Sequence, residues 1–156
     1  MFTFTGMSHL KEKLYQQCLD YVQQRMQAAE QGIKEAQKAA SDDTKSSAGD
    51  KYETGREMMQ QETNRNMAQL NEANKLKVAL NLVNTTAEFK QVETGSVVIT
   101  DNGNFYLAIS AGTLNVDGEQ YFAISPASPI ALKMKGLKVG DEFSLNGKTY
   151  TLIDTN

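Results

Sequence analysis

The chain has 156 residues, enough for one ordinary domain or two small ones, and its 40% apolar and 22% charged composition argues against wholesale disorder. A net charge of −3 gives no support to a general nucleic-acid or membrane-surface binder. No segment approaches the roughly 18–20 uninterrupted apolar residues of a bilayer span.

The opening, MFTFTG, has neither the charged stretch nor the apolar core of a secretory signal and reads as an extension ahead of a second start at Met7. The single cysteine, Cys18, excludes an internal disulfide and a multi-cysteine metal site. A cytoplasmic location is the simplest expectation.

From Ser8 to Leu82 there is no proline, the residue most disruptive to a helix interior, and good helix formers dominate. Leu10, Leu14, Cys18, Tyr21/Val22, Met26, Ala29, Ile33 and Ala36 recur every three or four residues, a heptad-like stripe. Tyr52, Met59, Thr63, Met67, Leu70, Ala73 and Leu80 form a looser one. Between them lies the polar stretch SDDTKSSAG, with Ser47 and Asp50 spaced as a helix-start signal. Two arms of similar length joined by a short polar loop predict an antiparallel helical hairpin over 8–82. Gly32 and Gly55 would each cost about 1 kcal/mol against alanine in such helices.

From Val92 onward the text changes to short runs such as VVIT, FYLAI and YFAI, punctuated by Asp-Asn-Gly, Asp-Gly and Asn-Gly. These are strands and hairpin turns. The expected strands are 96–100, 104–110, 120–124, 142–145 and 149–153. A short helix is expected over 129–135, with Ser128 as cap, Pro129 in its first turn and Gly136 just past its end. Ile130 and Met134, four apart, should face the sheet. The fold class is therefore α+β: a helical hairpin, then a small antiparallel β domain over 90–156 crossed by one short helix.

No enzyme signature is present: no P-loop, no GxGxxG, no zinc spacing and no EF-hand loop. The only histidine, His9, has no sequence partner for a triad and reads as a solvated surface residue. Cys18 fits an ordinary place in the helical seam.

The segment Ile124-Ser125-Pro126-Ala127-Ser128-Pro129-Ile130-Ala131, followed by Gly136 and by Gly140-Asp141, resembles the C-terminal domain of the GreA/GreB family of transcription elongation factors. Val92, Gly95, Ser96 and Val98 resemble that domain's entry into its first strand. Tyr52, Arg56 and Glu57 resemble the Y-x-x-x-[RK]-E start of the family's second helix, and Ile33 and Ala36 its I-x-x-A. The resemblance implies an FKBP-like C-terminal domain. It also implies a partner, bacterial RNA polymerase, whose secondary channel receives the hairpin. There, tip acids help hold a second Mg²⁺ at the polymerase active site and stimulate transcript cleavage; the factor needs no cofactor of its own. No membrane and no sequence-specific nucleic acid is implied.

The tip departs from the family's G-D-x-x-E-N-A-E-Y. Counting back from Tyr52, Lys45 stands at the aspartate, Ala48 at the glutamate and Gly49 at the asparagine. Acids remain at Asp42, Asp43 and Asp50, which either serve the tip or merely solvate and cap a loop. The expectation is a polymerase-binding factor, not an enzyme, with weak or no cleavage stimulation. The alternatives are a coiled-coil scaffold without a polymerase role and an FKBP-like prolyl isomerase using Phe105, Tyr106, Tyr121, Phe122, Phe143 and Tyr150.

Overall fold

The computed structural model describes residues 4–43 and 49–156. Two long helices, α1 (Phe4–Asp43) and α2 (Gly49–Asn81), precede strands β1 (Val97–Thr100), β2 (Gly103–Leu107), β3 (Gly112–Val116) and β4 (Glu119–Ile124). Helix α3 (Pro129–Met134) and strands β5 (Glu142–Leu145) and β6 (Lys148–Thr155) complete the chain. The α+β class is as the sequence predicts. Among the described residues, no helix is long and apolar enough to cross a membrane.

The chain packs as two compact units. One joins the start of α1, up to Asp20, to Val78–Asn156; the other is Tyr21–Lys77.

In Tyr21–Lys77, α2 returns along α1. Val22, Ala29, Ala36 and Ala73 are buried, and the larger Met26, Ile33, Met59 and Leu70 are half-buried. Gly32 lies opposite Asn66: a Cβ built on Gly32 would stand 2.6 Å from the Asn66 Oδ1. The glycine that costs helix propensity thus makes room for the Asn66 side chain. Asn66 satisfies its own amide by donating Nδ2 to the Glu62 carbonyl at 3.0 Å.

In the other unit the strands form one six-stranded sheet in the order β3-β4-β2-β1-β6-β5. Two hairpins close on left-handed pairs that asparagine, aspartate and glycine tolerate: Asp117-Gly118 (φ 52° and 83°) and Asn146-Gly147 (φ 53° and 81°). The sheet is not the antiparallel meander expected, because β2 pairs with β4 in parallel, Phe105 beside Phe122 and Leu107 beside Ile124. The reason is β3. The chain leaves β2, runs through buried Ala108 and Ile109, forms β3 at the sheet edge and hairpins back, which brings β4 in alongside β2.

Both faces of this sheet are covered. On one, Val98, Phe105, Leu107, Phe143, Tyr150 and Leu152 pack with Ala131 and Met134 of α3, and Ile130 packs against the same cluster. On the other lie Val97, Tyr106, Leu114, Val116 and Tyr121. The start of α1 belongs to this unit: Leu14 and Cys18 are fully buried, and Gln17 donates to the Asn115 carbonyl of edge strand β3 at 2.7 Å. Leu10, Leu14 and Cys18, read from sequence as the beginning of the helical seam, therefore sit in the unit that contains the sheet. Burial pushes the Cys18 thiol up to about 12.

Tyr106 is fully buried, and its hydroxyl has no hydrogen-bond partner among the described residues. Burial, with Cys18 and Tyr15 nearby, raises its pKa. An unmet buried hydroxyl costs about 1–3 kcal/mol. Tyr106→Phe is therefore expected to leave stability unchanged or raise it in urea unfolding; a loss above about 2 kcal/mol would mean the hydroxyl is satisfied. For the hairpin, Gly32→Ala alone is expected to destabilise. The double change Gly32→Ala, Asn66→Ala is expected to gain about 1 kcal/mol by relieving the clash and removing the glycine cost. A double-mutant cycle with no coupling would show that these residues do not touch.

Candidate functional site

The segment carrying the family resemblance is built by local backbone requirements. Ser128 has extended dihedrals (φ −67°, ψ 153°) and caps α3: its Oγ accepts from the Ala131 N–H at 3.3 Å and donates to the Ser125 carbonyl at 2.7 Å. Ser125 turns the chain before it, its Oγ accepting from the Ala127 N–H at 3.1 Å. Pro129 occupies the first helical turn, where its missing N–H costs nothing. Ala131 is fully buried, which leaves no room for a larger side chain.

Gly136 takes φ 83° just past the helix and donates its N–H to the Val92 carbonyl at 2.9 Å. In the same exchange the Val92 N–H donates to Leu137. Asp141 accepts from the Lys138 N–H at 2.8 Å through its carboxylate, closing the Gly140 turn, and from the Leu152 N–H at 2.9 Å through its carbonyl. Ser125, Ser128, Pro129, Ile130, Ala131, Gly136 and Asp141 are thus brought together as one structural corner. Its exposed apolar residues, Leu132 at 61% and Val139 at 57%, went unremarked in the sequence because neither belongs to a periodic stripe.

The hairpin end is a separate matter. Asp42 and Asp43 are the last two residues of α1, not part of a loop, and Asp50 lies in the first turn of α2. The side chains of Asp42, Asp43, Asp50 and Tyr52 lie outside the described residues, as do Lys45, Ser47 and Ala48 altogether. Arg56 and Glu57 are exposed on α2.

The aromatic residues divide by strand alternation. Phe105, Phe122, Tyr150 and Phe143 make a row on one face of the sheet, with Phe143 stacked on Tyr150 at 4.8 Å and Phe105 edge-on to Tyr150 at 6.0 Å. Three of the four are at most 8% exposed, so the rings fill their space rather than line an open pocket; Phe122 alone reaches 40%. His9 is exposed, its Nδ1 3.6 Å from the Glu12 carboxylate. It borders a cleft lined by Leu10, Lys13, Val116, Asp117 and Tyr121, spanned by an exposed Lys13–Asp117 pair at 3.3 Å. Among the described residues, no group of three or more histidine, cysteine or acidic side chains could hold a metal ion.

No family model and no curated protein matches this chain. Among solved structures it is similar to one described as that of the transcription factor Gfh1, with 18% identity over 87% of this chain and 91% of that one, at a TM-score of 0.34.

If the signature residues are a structural corner, their loss should be read in stability. Ser128→Ala is expected to lower it by about 1 kcal/mol through loss of the cap, with Ser128→Asp close to neutral. Chemical denaturation of both variants checks this, and an unchanged Ser128→Ala would remove the cap from the account.

Proposed function

We propose that this chain is a Gre-like transcription factor that binds RNA polymerase, extends its helical hairpin through the secondary channel and modulates elongation with weak or no stimulation of transcript cleavage. The observation that carries the reading is the order of parts. A helical hairpin precedes a sheet unit whose short helix is capped and terminated by the residues that resemble the family signature.

The hairpin end supports the second half of the reading. Asp50 lies where a helix N-terminus favours a carboxylate. Asp42 and Asp43 lie at the opposite pole, in a last turn with no basic residue, where the helix dipole disfavours each by about 0.3–1 kcal/mol. The positions that align with the family's metal-directing acids hold Lys45 and Ala48. A lysine repels Mg²⁺, and alanine offers it no oxygen, whereas Mg²⁺ demands near-octahedral oxygen ligands at about 2.0–2.1 Å. Any metal-directing role therefore rests on Asp42, Asp43 and Asp50, and two-metal chemistry tolerates little misplacement of such ligands.

The purified protein is expected to compete with a Gre factor for core polymerase and to stimulate cleavage in backtracked complexes at least tenfold less than that factor. The change Asp42→Asn, Asp43→Asn should abolish residual stimulation and leave polymerase binding intact. Strong wild-type cleavage would overturn the tip argument. Absence of competition, with a dimer in sedimentation, would replace the whole reading with that of a coiled-coil scaffold.

A further inference from the structure

Lys11 is the one lysine among the described residues to be fully enclosed, at 2% exposure. Its Nζ donates to the Ala87 carbonyl at 2.7 Å and lies 4.8 Å from the centre of the Phe89 ring. Both partners belong to the connector between α2 and β1. That segment is shaped to meet it: Asn84 Oδ1 accepts from the Thr86 N–H at 2.9 Å, the Thr86 hydroxyl at 3.1 Å and the Ala87 N–H at 2.9 Å, so the turn is fixed just before the carbonyl that Lys11 takes.

We propose that Lys11 is a proton-controlled clamp on the connector, holding residues 84–89 against α1 more tightly when its amine is neutral than when it is charged.

The chemistry follows from the donor count. An ammonium brings three N–H donors and a full charge, and this site offers one carbonyl and one ring face. The ring contact offsets part of the cost of enclosing the charge, and the carbonyl bond another part. A neutral amine needs far less. Glu88, on the connector, is the charged group among the described residues that acts on the amine, and it favours the cation. Burial outweighs Glu88 and brings the amine from 10.5 down to about 8.

The sign is fixed by proton linkage. When the connector opens, Lys11 reaches water and regains its ordinary affinity for a proton. Below pH 8 both states are protonated, and the closed state bears the whole cost of the enclosed charge. As pH rises from 8 toward 10.5, the closed amine has lost its proton while the open one retains it, so closure becomes progressively more favourable. Connector openings should become on the order of tenfold rarer between pH 7 and pH 9.

The test is hydrogen exchange of residues 82–92 in the full chain across that range, corrected for intrinsic rates. The wild type is expected to show the tenfold fall in opening, and Lys11→Met none. A flat wild-type profile, or the same slope in Lys11→Met, overturns the proposal. Because Lys11→Met could fail to fold, the wild-type lysine is also titrated by ¹³Cε resonance: a midpoint near 8 supports the clamp, and one at the ordinary lysine value refutes it.

Discussion

Everything in the sheet unit depends on the need to cover both faces of the sheet. Phe105 and Tyr106 are adjacent in β2 and point to opposite sides, yet they are 5% and 0% exposed. The short helix α3 has only six residues and can roof one side. The other side belongs with the start of α1, and this accounts for its burial pattern. Leu14 and Cys18 present small or branched apolar groups; Gln17 and Lys13 hold the β3–β4 hairpin from its rim; Lys11 is enclosed because its position on the helix leaves it no path to water. The same requirement enclosed the Tyr106 hydroxyl with no partner among the described residues. A sheet roofed by a helix that also builds a hairpin carries polar groups that a purpose-made roof would have replaced.

Much of this was legible in the sequence, for identifiable reasons. The α3 corner was readable because each of its residues meets one local backbone requirement, a serine to cap, a proline for a first turn and a glycine for a positive φ. The hairpin turns were readable because Asp-Gly and Asn-Gly have few other uses between strands. What was not readable is where a face goes. A stripe of apolar residues at helical spacing states which side is buried, not against what, so Leu10, Leu14 and Cys18 looked continuous with Ala29 and Ala36. Strand β3 was missed because GTLNV holds only Leu114 and Val116 as apolar markers and opens on a glycine. Without β3 the parallel pairing of β2 with β4 had no cause. Likewise Gly32 showed its cost in the sequence but not its use, since Asn66 lies far away along the chain.

The candidate site was legible unevenly. The signature residues build the α3 corner, and their contacts are with their own backbone. Such a motif can serve the fold alone, and it leaves Leu132 and Val139 exposed beside it. The tip acids could be read as chemistry but not placed. Their position at the end of α1 rather than in a loop follows from the helix running on through Asp43, which the run of serine and aspartate does not announce.

The charge exposed on α2 is mixed in sign. Arg56, Glu57, Glu62 and Arg65 are exposed along α2 with both signs interspersed, and Glu72 pairs with Lys75 at 3.1 Å. Mixed charge of this kind produces no strong field along the helix. Between the arms, Ala29, Ala36 and Ala73 are buried, and Gly32 makes room for the Asn66 side chain. Larger apolar side chains, Met26, Ile33, Met59 and Leu70, are half-buried, so packing adds to what helix propensity supplies.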